Sequence, residues 1–474
     1  MITFIISLAV LIGGYFLYGT VVERIFGVDS KRETPVKRLN DGVDFVALPL
    51  WRIFLIQFLN IAGLGPIFGA IAGAMWGPVA FLWIVFGCIF GGAVHDLLSG
   101  LLSIRHDGQS IPEIVGKYLG TGVKQFMRVF TVMLMVVVGA VFIKGPAAIL
   151  NDITNNVFHI NSWIAVVFIY YFLATMLPID KLIGRIYPVF GFALLFMALG
   201  IIIAIFSQGY TIPEFRIDSF SNKHTSPESF PIFPMMFVSI ACGAISGFHS
   251  TQSPLMARCI SNEKYGKRIF YGAMVVEGVV ALIWAAAAMA FFGGVEQLNG
   301  AMTEHGNNAA WAVKDISFTL LGKFGAILAI LGVVAAPITS GDTAFRSARL
   351  IVADFLHYQQ KPIMNRLFIS VPLFIVGFLL VQFNFDIIWR YMAWSNQTLA
   401  MIVLWTITVY LAIEKKFYWI TLIPAIFMTV VCVSYILVAP EGFRLPVVVA
   451  NISGVVIAIF TFVAFFIWKI KKIK

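Results

Sequence analysis

Charge is what this 474-residue chain has least of. Only 12% of its residues are charged and 60% are hydrophobic, and the mean hydropathy is +0.92. A water-soluble domain of this length needs more charge on its surface, so a soluble enzyme or binding module is excluded. The net charge of +10 does not point to nucleic acid, because the basic residues flank apolar runs instead of forming one face. Cysteine is also scarce. Cys88, Cys242, Cys259 and Cys432 lie in or beside apolar runs without a CxxC pair, which argues against a disulfide framework or structural zinc site. No Ser–His–Asp arrangement, HExxH or phosphate loop is present, so no catalytic residues, metal or cofactor are expected. The first apolar run, Ile2 to about Val22, lacks a basic n-region and a cleavage site, and reads as a retained span.

What remains is an all-α polytopic membrane protein, expected to have about thirteen transmembrane helices of about 20 residues each. The basic residues fall into two sets on alternate connections. One holds twenty-five, from Arg24 through Arg105, Lys181, Arg258 and Arg366 to Lys474; the other holds Arg216, Lys223, Lys314, Lys323 and Arg444. The positive-inside rule then puts the amino terminus outside and the carboxyl terminus in the cytoplasm.

Two of these spans carry helix breakers. The second (50–76) contains Gly63, Gly65 and Pro66, and the seventh (232–260) contains Gly243, Gly247 and Pro254 around Ser246, His249, Ser250, Thr251 and Gln252. Proline removes a backbone donor, and hydrocarbon tolerates the freed groups only where protein or a cavity satisfies them. The breaks lie five spans apart, so the two five-helix units that they open have opposite orientation. Paired breaks in inverted halves point to a transporter's midplane site; glycine and proline packing in ordinary membrane helices is the alternative. The expected organisation is a peripheral span and loop (1–47), a first unit (48–207), an outer loop (208–231), a second unit (232–413) and two appended spans (414–474).

The second half-helices begin near Gly65 and near His249 or Ser250, where free amides and a partial positive charge suit a carboxylate. Gly63, Gly65, Pro66, Ser246, His249, Ser250, Thr251 and Gln252 are therefore the candidate substrate contacts. Carbonyls freed near Ile61, facing Thr339 and Ser340, would suit sodium. Glu277 and the adjacent His95 and Asp96 are the candidate proton carriers, since an ionisable group at membrane depth needs a reason to be there. Structural hydrogen bonding is the other reading of each. His95 and Asp96 point about 100° apart on a helix, so each is expected to meet a different neighbour. Asp342, Arg346 and Arg349 share one helix face as a local ion pair or a gate.

The stretches GLGPIFGAIAGAMWGPVAFLWIVFGCIFGGAVHDLLSG, ACGAISGFHSTQSPLMARC and WRYMAWSNQTLAMIVLW resemble the carbon starvation (CstA) family of bacterial inner-membrane transporters. The resemblance covers nearly the whole chain. It implies uptake of peptides or pyruvate under nutrient limitation, and a LeuT-like 5+5 inverted repeat with two broken helices, as in the amino acid–polyamine–cation superfamily. Longer members carry a pair of histidines where this chain has Ile56 and Gln57. The implied partners are a small anionic substrate or peptide, a proton or sodium ion, and the lipid bilayer of the plasma membrane.

Overall fold

The computed structural model describes every residue except 155–156, 178–182, 384 and 473–474; Lys181 and Lys474 of the larger basic set lie outside the described residues. Those described form helices and connections, with no strand. Among the described residues, nine helices are long and apolar enough to cross a membrane. A tenth candidate is the bent pair Leu50–Ile61 and Gly65–Ala74, whose halves meet at 55°. A count of thirteen is reached only by adding short or interrupted pieces. Ile160–Met176 is short, residues 232–257 are divided into four helical pieces, and Ala309–Ala329 is kinked at Gly322 before the chain enters Ala335–Leu356.

Both expected breaks are present. In the first, Ala62 leaves helical geometry (φ −80°, ψ 55°), and the chain resumes as a wide π turn over Gly65–Gly69. In the second, Ile245 and Ser246 are extended (φ −161° and −144°), and the next helix is Gly247–Ala257. It starts at Gly247, ahead of His249. A Cβ on Gly247 would sit 2.5 Å from the backbone of Asn396 and Ala400. The close approach of Phe385–Ile413 therefore fixes the start of this helix.

The loop over residues 293–322 holds the far end of the first broken helix. Asn299, on Val295–Glu304, donates to the carbonyls of Met75 at 2.8 Å and Lys223 at 3.2 Å.

The cytoplasm-facing end expected from the charge pattern is closed by buried ions, but not by the pair expected from spacing. Asp342 does not pair with Arg346. It accepts a hydrogen bond from Tyr187, while Arg346 and Arg349 turn to Asp44, in the loop before Leu50, at 3.2 and 3.4 Å. Arg346 also donates to the carbonyls of Ala174 and Leu177. Shared helix spacing permits a pair only when neither partner has a better one, and here a loop carboxylate supplies it. Burial pushes the Asp44 carboxyl up, but Arg349, Arg346 and Arg258 outweigh it and hold it below the ordinary carboxylate range. The stabilisation from Asp44 is thus complete above that range and fades only as pH falls through the lowered value. Asp44→Asn should destabilise the protein by about 3–5 kcal/mol, the usual cost of removing one partner of a buried ion pair. Thermal unfolding in detergent at neutral pH checks this, and the variant should lose part of the wild type's acid sensitivity.

Candidate functional site

Small residues bring the two breaks together. A Cβ on Gly65 would fall 2.3 Å from Cys242, one on Gly69 2.6 Å from the Ser239 carbonyl, and one on Gly73 2.2 Å from Ile240. The first broken helix therefore lies directly against the outer pieces of the second. Hydrogen bonds from neighbouring helices repair the freed backbone. Gln397 Nε2 donates to the Ile245 carbonyl at 3.0 Å, and Ser340 Oγ donates to the Leu59 carbonyl at 3.1 Å.

Four ionisable side chains from three helices meet beside the second break. His249 Nδ1 lies 2.9 Å from Asp96 Oδ2, and its Nε2 lies 3.4 Å from Glu277 Oε2. His95 Nδ1 lies 2.8 Å from the other Asp96 oxygen. All four are fully buried. Asp96 does meet a neighbour on another helix, His249, but His95 meets Asp96 itself instead of a different neighbour. Cβ directions differ by about 100°, but these side chains are long enough to curl together over one turn. The result is a continuous line from His95 through Asp96 and His249 to Glu277. No geometrically sound hydrogen bond reaches either Glu277 oxygen or the outer ring nitrogens of His95 and His249 among the described residues; the 3.4 Å contact to Glu277 is an ion-pair distance. Such unsatisfied groups at membrane depth are costly unless a proton or ligand completes them.

Cys242 also reaches this point. One donor atom each from Cys242, His249 and Glu277 lies within 4.8 Å of the others, a sulfur–nitrogen–oxygen set of the kind that holds transition metals. The cysteine has no ligand-type neighbour in sequence, so spacing gave no hint of this.

The remaining candidates divide into two groups. Ser250 and Thr251 donate to backbone carbonyls one turn back, of Gly247 at 2.7 Å and Phe248 at 2.6 Å. Gln252 Nε2 reaches Thr251 Oγ1 at 2.9 Å, and its buried Oε1 has no partner among the described residues. Ser246 is buried at the break, where its carbonyl accepts from His249 N. On the other side, Gly63, Gly65 and Pro66 are buried at the first break. Thr339 donates to the Ala336 carbonyl, and the Ile61 carbonyl accepts from Gly63 N at 2.9 Å. Two residues were not among the candidates: Gln57 and Asn60 are fully buried in Leu50–Ile61, and their side-chain amides have no partner among the described residues. A polar residue three positions before Gly63 in an apolar run was the available signal for Asn60.

The sequence profile of carbon starvation protein CstA matches residues 1–161 and 152–324. The chain belongs to the CstA family. An uncharacterized membrane protein of Haemophilus influenzae is 43% identical over 64% of this chain and 94% of that protein. The peptide transporter CstA of Campylobacter jejuni is 25% identical over 93% of this chain and 81% of its own length. The pyruvate/proton symporter BtsT of Escherichia coli is 25% identical over 58% of this chain and 46% of its own. Among solved structures, a mutant manganese transporter of Eremococcus coleocola shares the fold. Its TM-score is 0.51 at 14% identity, over 91% of this chain and 98% of that one. Over its described residues this CstA-family chain is thus an all-helical, multi-pass membrane protein; its relatives with a named activity are transporters, consistent with a protein that is not an enzyme.

The glycine contacts make a direct test of how this CstA-family site is built. Gly247→Ala forces a Cβ against backbone and should cost about 1–3 kcal/mol by overpacking. At Gly91 the nearest atom, on Ile245, would lie 3.4 Å away in ordinary contact, so Gly91→Ala should be near neutral. Comparing the two melting midpoints checks the assignment.

Proposed function

We propose that this CstA-family protein is a secondary transporter that imports a small carboxylate, such as pyruvate, or a short peptide together with protons. The observation that carries this reading is the buried line Asp96–His249–Glu277 beside the second break. The peptide and pyruvate/proton transport named for relatives supports the choice of substrate class. In this reading the chain has thirteen spans in a bacterial plasma membrane, amino terminus outside and carboxyl terminus in the cytoplasm. Units 48–207 and 232–413 form a LeuT-like inverted repeat, with 1–47 and 414–474 peripheral.

Each residue's task follows from its surroundings. The amino end of Gly247–Ala257 and the hydroxyl and amide groups of Ser246, Ser250, Thr251 and Gln252 receive the substrate's carboxylate. In this reading they act with the opened backbone at Gly63, Gly65 and Pro66, and the amides of Gln57 and Asn60, which have no partner among the described residues, offer further hydrogen bonds. A proton entering between His249 and Glu277 cancels a buried charge as the anion arrives, so the loaded site is less costly to expose to the other side. Asp96 orients His249, and His95 in turn holds Asp96.

Sodium coupling is the second reading, favoured by Ser340, whose hydroxyl lies against the first break, with Thr339 next to it. Proteoliposomes separate the two. With a pH gradient and no sodium, labelled pyruvate or dipeptide should accumulate. Glu277→Gln and His249→Gln should still equilibrate substrate but no longer concentrate it. Uptake that ignores the pH gradient and appears on adding sodium would reverse the choice. Thr251→Ala and Gln252→Ala should raise the half-saturating concentration with little loss of protein; normal uptake in both would place the substrate elsewhere.

A further inference from the structure

A cavity lies apart from the cluster of ionisable side chains. It is a groove of about 560 Å³ between Val79–Arg105, the outer pieces of the second broken helix and Trp419–Val438. That volume is within the range of about 300–1,000 Å³ typical of small-molecule sites. Trp83, Phe237 and Ile245 line it, together with Phe220 of the 208–231 loop. The rings of Trp83, Phe237 and Phe427 pack within 4.9–5.6 Å of one another. Trp83 Nε1 donates to the Phe237 carbonyl at 3.1 Å, which ties the groove wall to the backbone of the broken helix.

We propose that this groove binds one acyl chain of a membrane phospholipid. Three observations on the protein lead to that occupant. The mouth opens on a surface of large apolar side chains, with Phe86 49%, Phe90 44% and Ile423 62% exposed. These residues sit on helices apolar enough to cross a membrane, so hydrocarbon is the medium at the mouth. The lining is almost wholly apolar side chains, so water and a carboxylate or peptide substrate would find no partners inside. An unfilled groove would also forfeit dispersion contacts along its walls, and a flexible hydrocarbon chain recovers them. The chain lies against Phe237 and Ile245, the stretch leading into the second break. Its occupancy therefore bears on the position of that helix, whatever the protein transports.

The test uses the full-length protein in phosphatidylcholine vesicles with bromine midway along one acyl chain. Bromine quenches tryptophan only on contact, and Trp83 is just 8% exposed, so only a chain inside the groove reaches it. The emission lost on Trp83→Phe defines the Trp83 component. Brominated vesicles should quench that component strongly, and Gly91→Leu should restore most of it. Gly91 lines the groove, and a Cβ placed there would meet only the Ile245 side chain, at 3.4 Å, so a larger side chain at this position takes up groove volume. Ile423→Phe, at an exposed rim position, narrows the mouth with no demand on folding and should act in the same direction. Mass spectrometry of the detergent-purified protein supplies a second readout: wild type should retain a phospholipid that both plugged variants lose. A Trp83 component equally bright with and without bromine would overturn the proposal, as would phospholipid retention unchanged by both plugs. Cross-linking of two copies through Ile423 with Trp83 shielded would overturn it too, since the groove would then be filled by protein.

Discussion

A backbone amide or carbonyl released inside hydrocarbon must find a partner within the protein, and this requirement organises the structure around its two breaks. The Ile245 carbonyl is met by Gln397 and the Leu59 carbonyl by Ser340. Where the broken segments leave the centre, Trp83 meets the Phe237 carbonyl and Asn299 meets that of Met75. Each repair comes from a different element, so four separate neighbours hold the broken helices. These repairs are single side-chain bonds in place of a full helical ladder.

Closeness is the second consequence. The breaks cross at Gly65, Gly69 and Gly73, where any side chain would collide with Cys242, Ser239 or Ile240. A gap between them would admit water along the midplane and weaken every electrostatic interaction nearby, since attraction between charges falls as the surroundings become more polar. Tight crossing keeps His249, Asp96 and Glu277 fully buried, where a single proton has a large effect on the energy of the group.

Much of this was legible from local sequence, and what was not has a common cause. Breaks are local chemistry, so Gly63, Gly65 and Pro66 announced the first, and the polar run Ser246 to Gln252 announced the second. The start of the second half-helix was misplaced by two or three residues because Gly247 answers to Asn396 and Ala400, far along the chain. His95, Asp96, His249 and Glu277 each stood out as polar groups in apolar runs. Their union did not, because nothing in the sequence puts Asp96 next to His249. Helical spacing misled twice. It separated His95 from Asp96, whose side-chain tips meet, and it joined Asp342 to Arg346, whose real partner is Asp44 in a distant loop. Spacing fixes where a Cβ points; the polar tip goes to the strongest partner within reach.

The distribution of the ionisable line over three helices bears on how coupling can work. Asp96 belongs to Val79–Arg105, Glu277 to Glu263–Phe291 and His249 to the broken helix between them. His249 is therefore the one member carried by an interrupted element, and any shift of that element changes its 2.9 and 3.4 Å separations to both carboxylates. In a low-dielectric interior, small changes of distance between charges alter their energy appreciably. Proton occupancy and helix position are then linked, and linkage is reciprocal: if a proton favours one position of the broken helix, that position raises proton affinity by the same factor. Within the proposed transport reading, substrate at the amino end of Gly247–Ala257 shares that helix with His249. Binding of the anion and binding of the proton thus act on a single rigid piece of about three turns, and coupling needs no longer pathway through the protein.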